Sequence, residues 1–354
     1  MITLFIIVFI IALWGIKPRC NEQERLQYMS KDSTDAIKGI FILLVFFRHA
    51  NEYVKKSGFE YSSLADSLFS MTDSFLNQLI VVMFLFFSGY GIIYSISNKG
   101  DSYISSIPKH QILNTLLNFD IAVVFFIILS FIIGYSIDTK TIILSFTGWE
   151  NVGNSNWYIF AILICYLSTW LVFAPNRGNR NILTSTLLNF GLLIIATITL
   201  ALAGKPSHWY NTIFAYPIGM LFGVFKKQFD SLVNRKYSVC LIGVIICFAA
   251  STFFFFDKNL PIGENSRAII HGLSWVIRVI SFIIIVLMVM TKFNIQNKAL
   301  IWLGGNLFPL YIYQRIPMII ISNYFDLTPI IFIIISILIT CALIPIYRKI
   351  QFKL

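Results

Sequence analysis

Charge is what this chain has least of. Of its 354 residues, 12% are charged and 57% are hydrophobic, with 34 phenylalanines. Soluble domains carry about 25% charged and about 45–50% apolar residues. The apolar surface is therefore too large to be exposed to water, which excludes a soluble enzyme, a secreted disulfide scaffold and a disordered chain. The composition predicts an all-α, polytopic membrane helix bundle.

Acidic residues are also scarce, and the cysteines do not occur in motifs. Sixteen Asp plus Glu face 27 Lys plus Arg, which gives a net charge of +11. Basic residues of membrane proteins collect in cytoplasmic loops, so we interpret the excess as a sign of topology and predict no nucleic-acid partner. The five cysteines form no CxxC pair, and four of them lie inside apolar runs. This pattern predicts neither a disulfide framework nor a metal site.

Eleven apolar stretches approach the length that crosses a bilayer, which is about 20 residues. They are 2–16, 36–54, 76–96, 112–134, 156–174, 182–203, 209–225, 237–256, 268–291, 300–322 and 328–347. The longest loops, 18–35 and 55–75, are too short for a separate domain. We therefore predict an extra N-terminal helix over 1–17, a membrane domain over 33–347 and a basic cytoplasmic tail over 348–354. The first stretch has no basic start and no A-x-A site, which favours an anchor over a cleaved signal peptide.

The positions of the basic residues predict the orientation. With the N-terminus outside and the C-terminus inside, 17 Lys and Arg fall in cytoplasmic segments and 6 in outer loops. Cytoplasmic enrichment of these residues sets the topology of membrane proteins. We therefore predict an N-out, C-in chain with ten core helices after the extra one.

Four basic residues remain inside the predicted helices: Lys38, Arg48, Arg278 and Arg315. An ionisable group at a helix centre costs at least about 2.5–3.5 kcal/mol, so such groups indicate a functional site. Lys38 lies near a helix end, where its ammonium group could reach the interface.

The second stretch is the most polar. Lys38 and His49 are 11 residues apart, which places them within about 20° on one helix face and roughly 16 Å apart along the axis. Glu52 follows near the same face. A neutral histidine can accept a proton near pH 7, and Glu52 could orient its imidazole. The alternative is a buried histidine that only pairs helices.

The stretch from Lys38 to Ala50 resembles the first core helix of acyltransferase family three, whose signature is a basic residue, ten residues and then a histidine. Further segments resemble motifs of that family in the same order: Phe84–Tyr90, Asn156–Tyr166, Tyr216–Gly223 and Leu303–Tyr313. Together these matches cover about residues 33–347. Two features depart from the family pattern: Gln314 stands where a His is usual, and the region 99–114 holds only Lys99, Lys109 and His110 where a basic cluster is common.

The resemblance implies a multi-pass enzyme of the bacterial plasma membrane. It would move an acyl group, usually acetyl, from cytoplasmic acyl-CoA to a hydroxyl of a surface polysaccharide or its lipid-linked precursor. Membrane lipids would surround it, and it would need no metal. His49 would act as general base or as transient acyl carrier, with Glu52 orienting it or binding the acceptor. Basic residues would hold the phosphates of the donor acetyl-CoA; they are Lys38, Arg48, Lys109, His110 and Arg315.

A second set of residues is predicted to contact the acceptor. Trp275 and Arg278 share a helix face, on which the tryptophan could stack on a sugar ring and the arginine could contact the thioester or the acceptor. The alternatives are an interfacial tryptophan and an interhelical ion pair. Trp157 and Tyr313 are further candidates, and for Trp157 the alternative is interfacial anchoring. We interpret Asn154, Ser155 and Asn156 as helix caps.

Two other classes of function compete. A transporter or flippase for a lipid-linked saccharide would also have short loops and buried charges, but transporters often show internal repeats, and none is visible. A glycan polymerase would normally need a large outer loop, and this sequence has none.

Overall fold

The computed structural model describes residues 2–58, 63–175, 181–257 and 263–354. The chain is 82% helical, which confirms the all-α prediction. The α-helices are α1 (Ile2–Leu13), α2 (Glu22–Leu26), α3 (Lys31–Lys56), α4 (Leu64–Leu76), α5 (Leu79–Lys99), α6 (Asp101–Ile107), α7 (Asn114–Ile132), α8 (Thr139–Ser145), α9 (Asn156–Phe173), α10 (Ile182–Leu202), α11 (Ala215–Phe256), α12 (Glu264–Lys292), α13 (Lys298–Gly305), α14 (Leu307–Tyr313), α15 (Arg315–Tyr324) and α16 (Pro329–Ile350).

Short elements complete the description. A π-helix, Pro108–Leu113, joins α6 to α7, and two 3₁₀ helices are Gln27–Met29 and Ser207–Trp209. The strands β1 (Ile16–Pro18) and β2 (Phe293–Ile295) form an antiparallel pair in which Ile16 lies opposite Ile295. Three basic residues used in the topology count lie outside the described residues: Arg177, Arg180 and Lys258.

Within the described ranges, seven helical segments are long and apolar enough to cross a membrane. They are Asp66–Lys99, Asp101–Ile132, Asn156–Phe173, Ile182–Leu202, Ala215–Phe256, Ser266–Lys292 and Pro329–Ile350. The multi-pass membrane character is thereby confirmed, whereas eleven crossings and the N-out orientation stay predictions. Helix α3 is not among the seven, and its charged residues include Lys38, Arg48 and Glu52.

Two stretches differ from the predicted helix boundaries. The predicted spans 209–225 and 237–256 belong largely to one helix of 42 residues, α11, whose backbone departs from helical angles at Phe225 and Lys236. A straight helix of that length would measure roughly 63 Å, about twice the ~30 Å hydrocarbon core. The two departures therefore separate its two apolar portions. The predicted loop 55–75 contains the helix α4.

The predicted span 300–322 is divided into three short helices, α13 to α15. Gly305 and Asn306 end the first, and Gln314 separates the second from the third. Pro317 has no N–H to donate to the carbonyl of Tyr313, so the helical ladder is weakened at this break. Arg315 begins α15 as a result.

Two helix pairs approach each other closely because glycine faces the partner's backbone. A Cβ atom at Gly304 would overlap the carbonyl oxygen of Asp35, where α13 crosses α3. A Cβ at Gly219 would overlap the Phe86 carbonyl, where α11 crosses α5. Small residues at such crossings are typical of helix packing in membranes.

The N-terminal segment is attached to the bundle by a ring contact and by Arg19. The Phe5 ring of α1 lies 5.2 Å from the Phe47 ring of α3. Arg19 is buried and donates to the carbonyl of Met290 and to the hydroxyl of Ser33. Burial lowers the pKa of this guanidinium, but arginine is not deprotonated in proteins and stays charged at neutral pH. Its charge therefore fixes the start of α3 against the end of α12.

Candidate active site

Two cavities lie toward opposite ends of α3. The large cavity has a volume of about 1070 Å³ and is lined by the second half of α3 from Val45 to Lys56, together with loops and helix ends. The small cavity, of about 280 Å³, is lined by Lys38 and by residues of α9, α13 and α14. The ring of Tyr311 lines both. The polar face predicted for α3 therefore contributes to two separate cavities.

A cluster of four polar side chains forms part of the wall of the large cavity. Arg315 Nη2 lies 2.6 Å from His49 Nδ1 and 2.7 Å from Glu52 Oε2. The carboxylate oxygen of Glu52 lies 3.5 Å from His49 Nδ1. The predicted intramembrane charges on α3 and α15 are thus neighbours, although 266 residues separate His49 from Arg315 in the chain.

Ser155 completes this cluster. Its Oγ accepts a hydrogen bond from Arg315 Nε at 2.9 Å and lies 3.4 Å from His49 Nε2. Ser155 is the residue before α9, and its side chain makes no capping bond to that helix. The interpretation of Ser155 as a helix cap is therefore wrong, because Arg315 and His49 are its side-chain partners. Sequence reasoning missed this role, and the only available signal was its position beside a family-like motif.

The tautomer of His49 determines what the cluster can do. The contact between Arg315 and Nδ1 requires a lone pair on Nδ1, so the proton is on Nε2 in that state. The other tautomer carries the proton on Nδ1, where Glu52 can accept it, and leaves the lone pair of Nε2 toward Ser155. The first arrangement uses the contact between Arg315 and Nδ1. The second uses the contacts with Glu52 and Ser155 and requires Arg315 Nη2 to move away from Nδ1, because two N–H groups cannot face each other at 2.6 Å.

Arg48, on α3, lies beside this cluster and contacts the junction between α4 and α5. It donates to the side chain of Asn77 at 3.1 Å and lies 3.7 Å from a carboxylate oxygen of Asp73. Asn77 has a φ of +40°, a strained backbone angle for a residue other than glycine. Arg48 also lines the large cavity. The structure therefore places it in the His49 cavity rather than near the small cavity.

Three residues that line the large cavity carry buried polar atoms without partners. Within the part of the chain that the structure describes, no hydrogen-bond partner is found for Gln78 Oε1, Asn154 Nδ2 or Tyr311 Oη. All three residues line the large cavity. Most buried polar groups in proteins are hydrogen-bonded. These atoms have almost no solvent-accessible surface, so a ligand would reach them only after the cavity wall rearranges.

Trp157 and His208 form another part of the wall, with ring centroids 5.6 Å apart. Burial lowers the pKa of His208, and the positive charge of Arg48 lowers it further, while Glu52 opposes both. His208 is therefore neutral near pH 7. Trp157 lines the large cavity, and its contact with an acceptor stays a prediction.

Three of the candidates for contact with the acceptor line neither cavity. Arg278 is fully buried and donates to the carbonyl of Phe75. Its guanidinium carbon lies 4.9 to 5.9 Å from the centroids of five aromatic rings, those of Phe75, Phe248, Phe255, Phe256 and Trp275. Its described partners are thus aromatic rings and a carbonyl group, not the ion pair considered as the alternative. Trp275 donates to the Asn211 carbonyl, and Tyr313 packs against Phe125 and Tyr347.

The predicted donor-binding residues divide between the two ends of α3. Lys38 lines the small cavity, where its ammonium lies 2.9 Å from Asp35. Lys109 and His110 are exposed on the π-helix and line neither cavity. Arg48 and Arg315 line the large one. Among the described residues, no group of three or more His, Cys, Asp or Glu side chains is arranged to hold a metal ion.

The fold and this site define a multi-pass, all-helical membrane protein with a polar cluster at a large cavity. The model of the acyltransferase domain that describes acyltransferase family three matches residues 31–348, and the chain therefore belongs to that family. Neither the comparison with curated proteins nor that with solved structures found a match. The family predicted from the motifs is thus confirmed, and acyltransferase activity is the function it supports.

Proposed function

We propose that this protein is an O-acyltransferase of a bacterial plasma membrane that moves an acetyl group from cytoplasmic acyl-CoA to a hydroxyl of an extracytoplasmic saccharide. The acceptor is a surface polysaccharide or its lipid-linked precursor. The observation that carries the proposal is the cluster of His49, Glu52, Arg315 and Ser155 on the wall of the large cavity. It joins a titratable base, a carboxylate and a fixed cation beside a space for a substrate.

The size and lining of the large cavity support a saccharide as the acceptor. Ligand pockets usually measure about 300–1,000 Å³, and this cavity, at about 1070 Å³, slightly exceeds that range. Trp157 supplies an aromatic side chain, and Glu52, Asn151 and Asn323 are polar residues of the lining. A sugar presents both C–H faces and hydroxyl groups, which such a wall accommodates.

His49 has the geometry of a general base in this reaction. With the proton on Nδ1 held by Glu52, Nε2 can remove the proton of an attacking hydroxyl. Arg315 is placed to stabilise the negative charge that develops on the carbonyl oxygen of the acyl group. In this proposal Glu52 orients the histidine and stabilises its protonated form.

The donor is assigned to the small cavity. Lys38 lies there near the end of α3 that is predicted to be cytoplasmic, and the ammonium can pair with a phosphate of acyl-CoA. Tyr311, which lines both cavities, marks where the acyl group would pass toward His49.

The test is His49→Ala, made in cells whose envelope glycans are analysed for acyl groups released by alkali. We expect a loss of at least about 100-fold, because the base is removed, with the protein still present by immunoblot. His271→Ala is the matched control, since His271 is exposed and lines neither cavity. Unchanged acylation in His49→Ala would contradict the proposal. Purified protein that binds no acyl-CoA at millimolar concentration would favour the transporter instead.

A further inference from the structure

We infer that Ser155 is the nucleophile that carries the acyl group, so that transfer takes place in two steps through an ester on its Oγ. This inference rests on the proposed acyltransferase function and names an additional catalytic residue for it. Its basis is the alignment of a hydroxyl, an imidazole and a carboxylate from α3 and the start of α9.

The geometry is that of a serine with a base and an orienting acid. Ser155 Oγ lies 3.4 Å from His49 Nε2, and Glu52 Oε2 lies 3.5 Å from His49 Nδ1. Arg315 Nη2 also lies 2.6 Å from Nδ1, so it must move away when Nδ1 carries the proton that Glu52 accepts. Nucleophile-to-base distances are often longer without substrate than the 2.6–3.2 Å of a reacting complex. The same order of groups, hydroxyl, imidazole and carboxylate, activates serine in unrelated hydrolases and transferases.

The surroundings of Ser155 favour a negative charge on its oxygen. Arg315 Nε donates to Oγ at 2.9 Å. Ser155 also stands at the N-terminus of α9, an 18-residue helix whose dipole is positive at that end. Its side chain is 4% exposed, so water competes little with these interactions. A serine that served only as a cap would bond to its own helix, and this one does not.

The two steps balance in atoms and protons. In the first, Oγ attacks the thioester carbon as its proton passes to His49 Nε2. The C–S bond then breaks, and CoA leaves as the thiol with that proton. In the second, the acceptor hydroxyl attacks the ester carbon and gives its proton to His49. The C–Oγ bond breaks, and the proton returns to Ser155.

The experiment uses purified full-length protein and acetyl-CoA labelled in the acetyl group, without acceptor, quenched rapidly in acid. We expect label on the wild-type chain that survives acid and is lost in mild alkali, as a serine ester is, and that peptide mass spectrometry places on Ser155. Ser155→Ala should lose the label and at least about 100-fold of glycan acylation in membranes. Ser155→Cys should carry the label as a thioester that neutral hydroxylamine removes.

Two further variants make the result specific. His49→Ala should lose the label, because the base is absent. Ser168→Ala, on the same helix and away from both cavities, should keep it. Three results would each overturn the inference. One is label on His49 in Ser155→Ala, and another is wild-type acylation by Ser155→Ala. The third is a wild-type chain that acylates glycans but carries no label. A wild-type chain that moves no acyl group from acyl-CoA in membranes contradicts the proposed function itself.

Discussion

Arg315 connects the parts of the candidate site. One guanidinium reaches His49 and Glu52 on α3 and Ser155 just before α9, at 2.6 to 2.9 Å. The planar fork of arginine permits this, because its N–H groups point in fixed directions from a delocalised charge. A lysine ammonium would be a single point of charge on a flexible stem and could not hold the same three groups.

The Arg315→Lys variant therefore separates charge from geometry. We expect acyl transfer to fall by about 100- to 1,000-fold, the usual loss when one donor to a developing oxyanion is removed. The loss should appear in kcat more than in KM for acyl-CoA. Steady-state rates with purified protein, acyl-CoA and acceptor glycan would measure it.

Arg348→Lys is the matched control for this substitution. Arg348 is exposed, donates to the side chain of Asn306 and lines neither cavity. Its variant should retain activity within about threefold, as surface substitutions usually do. Equal activity of the two lysine variants would show that Arg315 supplies charge alone.

At the residue scale, the cost of burying charge was the most useful signal in the sequence. It identified His49, Glu52 and Arg315, which the structure brings together, and it equally identified Arg278, which the structure places among aromatic rings. Ser155 carries no charge and could not be found in this way. Its partners are more than 100 residues distant in the chain, so only the fold reveals its role.

At the scale of helices, glycine determines how closely α3 and α13 approach. Gly304 lies against the backbone of Asp35, one turn before Lys38, and any side chain there would meet main-chain atoms that cannot rotate away. This contact connects the packing of the bundle to the small cavity, which both Gly304 and Lys38 line.

The variant Gly304→Ala should therefore lower the thermal stability of the purified protein. The added methyl group forces the two helices apart, at a cost of about 1–3 kcal/mol. The midpoint of thermal unfolding in detergent, followed by circular dichroism or by light scattering, would measure the change.

Gly191→Ala provides the control in α10. No heavy atom lies within 4 Å of a Cβ built at Gly191, and alanine favours a helix over glycine by about 0.5–1 kcal/mol. This variant should be as stable as the wild type or more so. If both variants shifted the midpoint equally, close packing at Gly304 would not explain the effect.

Helix positions were predictable where hydrophobic length alone decides them. The stretches 156–174 and 182–203 match α9 and α10 within two residues. Hydrophobicity could not show the helix α4, which has an amphipathic sequence, or the continuity of α11 through its basic segment. The division into α13, α14 and α15 depends on Pro317 and on the polar residues Asn306 and Gln314 at the breaks. These residues act locally and leave the mean hydropathy of the stretch high, so hydropathy does not reveal the breaks.

For the whole molecule, the two cavities and the count of basic residues together predict which side of the membrane each cavity faces. Lys38 and the small cavity should face the cytoplasm, where acyl-CoA is found, and Glu52 and the large cavity should face outward. The predicted N-out, C-in topology has this consequence, because α3 then crosses from inside to outside. Reversing the chain would place the proposed acceptor cavity on the donor side, so the orientation decides whether the proposed function is possible.

Cysteine labelling tests this orientation. Cys20 is exposed in the predicted cytoplasmic segment, and Ser322 lines the large cavity. In a chain whose other cysteines are replaced, a membrane-impermeant maleimide applied to spheroplasts should label Ser322→Cys and leave Cys20 unmodified. In inverted vesicles the reagent should label Cys20 and leave Ser322→Cys unmodified. The control chain, with Cys20→Ser and with Ser322 intact, should carry no label in spheroplasts or in inverted vesicles. Labelling of Cys20 from outside would contradict the predicted topology, since it would place Lys38 and the small cavity on the side that lacks acyl-CoA.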